Sequence, residues 1–134
     1  MSTPHDQSTR GVVAVIEREG RFLMIQRSST VAAPGAWCFP GGAIRAGETP
    51  ADALQRELRE ELNVPIEPLR EVWRWRRAEG DLELRWWRAN LLNDAFRPNP
   101  DEVQDVRWMT PEQIRHTPGV LPNNVTFLDH YLRE

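Results

Sequence analysis

Apolar positions recur along this chain first with a period of two, then of 3.6, then of two again. Val12, Val13, Val15 and Ile16 form one β-branched run, and Phe22, Leu23, Met24 and Ile25, ending at Arg27, form a second. The intervening Glu19-Gly20 turn predicts a hairpin. Residues 28–36 read as a loop, and Pro40-Gly41-Gly42 is expected to stop any strand begun at Trp37. A helix follows with clear start signals: Thr49 suits the N-cap, Pro50 the first helical position, and Asp52 the third, facing the positive end of the dipole. It runs to Leu62 and stops at Asn63, a residue tolerant of the left-handed conformation, with Pro65 just beyond. Residues 69–77 and 82–91 alternate around Glu79-Gly80-Asp81, which predicts a second hairpin. After a loop over 93–101, Val103 to Met109 reads as a strand. Thr110-Pro111-Glu112 opens a short helix, and Asn123 or Asn124 is expected to cap a last one through Leu132. Residues 1–10 are polar and read as a loose tail, leaving 11–134 as one domain without repeats or a dividing linker.

Composition narrows the class. The 134 residues are 40% hydrophobic and 28% charged, ordinary values for a globular domain able to bury a core without staples. No apolar run approaches the length of a membrane span, and MSTPHDQSTR has no signal-peptide character. The net charge of −3 disfavours binding to duplex nucleic acid through a basic surface. A single cysteine, Cys38, cannot form an internal disulfide, which suits a reducing, cytoplasmic setting; it reads as a packed thiol. All 17 basic residues are arginine, for which a codon bias is a simpler source than phosphate recognition.

The candidate chemistry sits on the first helix. Glu57, Glu60 and Glu61, spaced i, i+3, i+4, lie within roughly a 100° arc. Ala51, Leu54, Leu58 and Leu62 form the adjoining apolar arc, so the carboxylates are expected at the rim of the buried face. Like charges this close repel by about 0.2–0.5 kcal/mol per pair. A divalent cation removes that penalty, and an oxygen-only cluster suits Mg²⁺ rather than zinc. A solvated glutamate-rich face, with Asp52 paired to Arg56, is the bland alternative.

The triplet is not isolated. GAIRAGETPADALQRELREELNV, Gly42 to Val64, resembles the Nudix box, G-x5-E-x7-R-E-U-x-E-E-x-G-U with U aliphatic: Gly42, Glu48, Arg56, Glu57, Leu58, Glu60, Glu61 and Val64 match. Asn63 stands where the family has glycine, a substitution the left-handed turn should tolerate. Trp37-x-Phe39-Pro40-Gly41-Gly42 before the box and Trp108-Met109 near the end fit the same resemblance, of MutT-like kind, across most of residues 11–134. It implies an α/β/α sandwich with a mixed sheet.

The resemblance further implies a Mg²⁺-dependent hydrolase, with Mn²⁺ as a substitute, in which water splits a diphosphate linkage of a small nucleotide. Glu57, Glu60 and Glu61 would hold metal, joined by the carbonyl of Gly42 or of Gly41, and Arg56 would pair with Glu48 to fix the loop against the helix. The general base would be Glu57 or, alternatively, Glu102, which lies six residues before Trp108. Arg27 and Trp37 are the candidate substrate contacts. Most of the six tryptophans are expected in packing, with Trp86 and Trp87 on opposite faces, and most arginines of the second hairpin in solvent. Marks of other subgroups are mostly absent: Ala78-Glu79 replaces the proline of ADP-ribose hydrolases, the only tyrosine is Tyr131 whereas diadenosine polyphosphate hydrolases have one soon after the box, and Ala32 stands where the coenzyme A group has its second arginine. The short chain and the Trp37-x-Phe39-Pro40-Gly41-Gly42 entry resemble nucleoside triphosphate pyrophosphohydrolases of the MutT type. Nucleotide-sugar or dinucleotide hydrolysis and a non-catalytic nucleotide sensor are the alternatives. Homodimers are common in the family.

Overall fold

In the computed structural model, which describes residues 9–133, the two apolar runs at the start of the chain lie buried on both faces. Those runs supply β1 (Thr9–Val15) and β3 (Arg21–Arg27). Val12 and Ala14 point into one core cluster and Val13 and Val15 into another; Leu23 and Ile25 oppose Phe22 and Met24 in the same way. Burial on both sides explains why these strands read as continuous rather than alternating apolar runs.

Two four-stranded sheets share these cores. The first has the order β5 (Gly41–Ala43), β1, β7 (Leu82–Leu91), β6 (Ile66–Arg76), with β1 parallel to β7 and the other pairs antiparallel. In the second, β3 pairs with β8 (Val103–Met109) along one edge and with β2 (Glu17–Arg18) and β4 (Trp37–Cys38) along the other. Helix α1 (Pro50–Leu62) covers one face through Leu54, Leu58 and Leu62, none of them exposed. Each such side chain contributes about 1.5–3 kcal/mol. On the opposite face, α2 (Pro111–His116) and α3 (Pro122–Leu132) bury Ile114, Phe127 and Leu128 against Trp86 and Phe22. The result is the expected α/β/α sandwich with a mixed sheet. Among the described residues no helix is long and apolar enough to cross a membrane.

Several local expectations need correction. The first two runs do not form one long hairpin. The Glu19-Gly20 turn, with φ of 53° and 76°, joins only β2 to the start of β3, while β1 crosses to the other sheet and pairs in parallel with β7. Pro40-Gly41-Gly42 does not end strand pairing either: Gly41–Ala43 runs antiparallel to β1, because bare glycine backbone can lie against Val12 and Val13, where a Cβ on Gly41 would overlap the Val12 carbonyl. Neither asparagine caps α3. Its N-cap is Leu121, without a side-chain cap, and Pro122 takes the first turn. The second hairpin begins at Ile66 rather than 69. Of the expected tail, residues 1–8 lie outside the described residues, and Thr9 and Arg10 already pair with Leu82 and Glu83.

Candidate active site

The site is built on α1, whose local signals all operate. The Thr49 hydroxyl accepts from the Asp52 N–H at 3.1 Å, Pro50 opens the helix, and Asn63 closes it at φ 55°, ψ 39°, donating its N–H to the Arg59 carbonyl. This phasing puts Glu57 and Glu61 on the inner edge of the helix, only 8% and 6% exposed, while Glu60 stays half-buried. The solvated-face alternative therefore fails for the first two. Arg56 does not pair with Asp52; it reaches Glu48 instead.

Arg56 organises the outer half of the cluster. Its Nε donates to Glu48 Oε2 at 2.7 Å and its Nη2 to Glu48 Oε1 at 2.9 Å, a two-pronged pair of the kind only a guanidinium makes. Nη2 also donates to the Ala43 carbonyl at 2.8 Å, and Nη1 bridges Glu57 Oε1 (2.8 Å) and Glu60 Oε2 (3.2 Å). One side chain thereby ties the loop carrying Glu48, strand β5 and two helical carboxylates together. Hydrogen bonds from Arg56 and from the Arg45 N–H hold the Glu48 carboxyl down at about 2.

The inner half is short of positive charge. Burial raises the Glu57 carboxyl, with the Arg56 hydrogen bond opposing and Glu60 and Glu102 adding to the rise. Burial pushes Glu61 well above the carboxylate range; Glu57 and Glu102 push the same way, against the Gly41 N–H, which donates to Glu61 Oε1 at 3.0 Å, and the Arg27 charge. Glu102, just before β8, is thus close enough for its charge to reach the two helical carboxylates. Gly42 completes the cradle: a Cβ there would overlap the Glu57 carboxylate, so only glycine lets β5 lie flush against it.

Beyond Gly41 and Gly42 opens a cleft of about 710 Å³. Phe39, Leu84 and Trp86 give it apolar walls, Arg27 and Arg77 stand at it as cations, and Asn123 and Asn124 close one side. Arg27 donates Nε–H to the Ala32 carbonyl at 2.5 Å, tying the end of β3 to the 28–36 loop, whose Ala32 and Ala33 also line the cleft. Trp37 does not line the cleft. Its indole is 5% exposed within the second core cluster, beneath the Arg107 guanidinium, so the expected ligand contact is replaced by a packing role. Trp86 and Trp87 do take opposite faces, joining different cores. On the second hairpin, Arg74 and Arg85 pair with Glu71, Arg76 with Glu83 and Arg77 with Asp81. Cys38 is buried where it lines the cleft, and burial pushes its thiol up to about 11, in keeping with a packed, protonated thiol.

Sequence reasoning missed the two asparagines as cleft residues. Asn124 is 4% exposed; its Oδ1 accepts from the Phe39 N–H at 3.0 Å and its Nδ2 donates to Asn123 Oδ1 at 2.8 Å. A polar pair directly after Pro122 resembles a cap in sequence; only the packing of α3 beside β4 reveals the different use.

The donor set suits a hard divalent cation. Its side chains are carboxylates, and the charges of Glu57 and Glu61, both buried, and of half-buried Glu102 oppose one another. As they stand, with Arg56 drawn onto Glu57 and Glu60, no three such groups among the described residues converge on one point. A cation would have to compete with that guanidinium for Glu57 and Glu60.

Known proteins resemble this chain. The NUDIX domain family model matches residues 6–131. A CTP pyrophosphohydrolase of Escherichia coli strain K12 is 29% identical over 123 residues, spanning 90% of this chain and 89% of that protein. A nucleoside triphosphatase NudI of Enterobacter sp. strain 638 is 32% identical over 117 residues, 77% of this chain and 82% of that one. Among solved structures, a Nudix hydrolase from Nitrosomonas europaea superposes with a TM-score of 0.82 at 23% identity, covering 96% of this chain and 72% of its own.

Proposed function

Since the chain belongs to the NUDIX domain family and is a hydrolase of that family, we propose that it cleaves the diphosphate linkage of a nucleoside triphosphate, releasing pyrophosphate and a nucleoside monophosphate. The observation that carries this reading is the buried, mutually repelling pair Glu57 and Glu61 packed against Gly41-Gly42, two glycines that also line a cleft of about 710 Å³. The names of the relatives, a CTP pyrophosphohydrolase and a nucleoside triphosphatase, favour triphosphates over nucleotide sugars and dinucleotides.

In this reading Glu57, Glu60 and Glu61, with the Gly42 carbonyl, would hold Mg²⁺, or Mn²⁺ in its place. Such an ion offsets phosphate charge and makes bound water more acidic. The remaining work belongs to the chain. Arg56 holds Glu57 and Glu60 in register with Glu48, so the helix and the preceding loop move as one piece. Arg27, at the cleft mouth, meets the phosphate chain. The raised affinity of Glu57 for a proton suits it to take one from water, and Glu102, on the opposite side, is the alternative base. Apolar walls around Phe39, Leu84 and Trp86 hold the base and exclude solvent. Incubation with a panel of triphosphates, nucleotide sugars and dinucleotides in Mg²⁺, with chromatographic separation of products, tests the reading. Preferential turnover of a triphosphate supports it, whereas preferential turnover of a sugar nucleotide replaces the substrate. Binding without turnover would make the domain a sensor.

A further inference from the structure

Glu102 ends a loop that is bonded to the Glu61 backbone and has little apolar anchorage: of residues 93–101 only Phe96 and Asn99 are half-buried, and the others are exposed. Hydrogen bonds hold it instead, and they converge on Asn99. The Asn99 N–H donates to the Glu61 carbonyl at 2.9 Å. Its own carbonyl accepts from the N–H groups of Glu102 (2.9 Å) and Val103 (2.8 Å), and its Oδ1 accepts from the Asp101 N–H at 3.1 Å. Its Nδ2 donates to Glu102 Oε2 at 3.4 Å. A single residue therefore touches the backbone of one cluster carboxylate and the side chain of another.

A second set of bonds anchors the same turn to the cleft loop. The Ser28 hydroxyl, buried at 4% exposure, donates to the Asp101 carbonyl at 2.9 Å, as does that of Thr30 at 2.8 Å, and the Ser28 N–H donates to the Glu102 carbonyl at 3.0 Å. Ser28 directly follows Arg27.

We propose that Asn99 is a positioning residue for hydrolysis, setting the Glu102 carboxylate against Glu57 and Glu61 through its side-chain amide. This rests on the hydrolase reading above. The amide does two separable jobs: Oδ1 shapes the turn, and Nδ2 aims the carboxylate.

Asn99→Asp separates them, keeping an oxygen for the Asp101 N–H while replacing the donor to Glu102 by a like charge that pushes that carboxylate away. The expected result is a kcat lower by about 10- to 100-fold, as for other partners of site carboxylates, with KM and melting temperature close to wild type. In a Glu102→Gln background the same substitution should lower kcat no further. An unchanged kcat, or an equal loss in both backgrounds, would overturn the proposal. A readout free of turnover is the NMR signal of the Asn99 side-chain amide: it should shift on Glu102→Gln, and an unmoved signal also overturns the proposal. Wild-type protein that hydrolyses nothing while this signal does shift counts against the hydrolase reading and not against the Asn99–Glu102 contact.

Discussion

Arg56, on the second turn of α1, grips Glu48, eight positions earlier in the loop, with two nitrogens of its guanidinium at 2.7 and 2.9 Å. The same guanidinium reaches Glu57 and Glu60, so the geometry of the carboxylates depends on a planar fork. Arg56→Lys keeps the charge and loses the fork. Steady-state kinetics should show kcat/KM reduced by about 10- to 100-fold, with Glu48→Gln producing a smaller loss in the same direction. Wild-type kinetics for Arg56→Lys would mean that charge alone suffices.

Substitution of Glu57 or Glu61 should move activity and stability in opposite directions. Both are buried, and among the described residues Glu61 has no cationic side-chain partner of the kind Arg56 gives Glu57, so Glu61→Gln removes a charge the fold holds at a cost. In EDTA, calorimetry should give this variant a higher melting temperature than wild type. Its turnover should fall by about a hundredfold or more, and Glu57→Gln should match that loss. A Glu61→Gln variant that melts lower than wild type would show the carboxylate to be held favourably without metal.

The same charges give the metal-free protein an unusual dependence on pH. A carboxyl raised in the folded state costs stability while ionised; that cost is full above its folded pKa and gone below the ordinary value of 4.5. Glu48 has the opposite sign: lowered to about 2, it stabilises fully above 4.5 and loses that contribution as pH falls toward 2. Melting temperature in EDTA should therefore rise as pH is lowered from the alkaline side toward 4.5, and drop again as pH falls from there toward 2. Glu61→Gln should flatten the rise, and saturating Mg²⁺ at pH 8 should raise the melting temperature instead, worth about 2.7 kcal/mol at a hundred times its Kd.

Gly42→Ala tests the cradle. The added methyl would overlap the Glu57 carboxylate, the far end of a flexible side chain, so the fold can yield by displacing it. Circular dichroism should report a folded protein while activity falls about tenfold or more. Full activity would show that β5 need not lie flush against Glu57.

Strong local signals make α1 legible in the sequence: Thr49, Pro50 and Asp52 act where capping rules place them, and Asn63 adopts the left-handed turn a glycine would take. Strand β8 is legible too, from Val103 to Met109. The partner of β1 is not. A run such as Val12 to Ile16, buried on both faces, carries no record of which strand lies beside it, and a nearby turn suggests the sequence neighbour rather than β7, about seventy residues away. The roles of Trp37 and Asn124 are hidden for the same reason, since an aromatic or an amide reads alike in sequence whether packed inside or turned to a cleft. Glu102 can be singled out by its spacing to Trp108, but its support from Asn99 and Ser28 exists only once the loop and β3 are brought together.

The most direct test of the central claim is to measure the products of a nucleoside triphosphate incubated with the protein and Mg²⁺, beside a Glu57→Gln, Glu60→Gln double variant. The account predicts pyrophosphate and nucleoside monophosphate in equal amounts from the wild type, and neither from the variant or in EDTA. Turnover that survives the double substitution would contradict it.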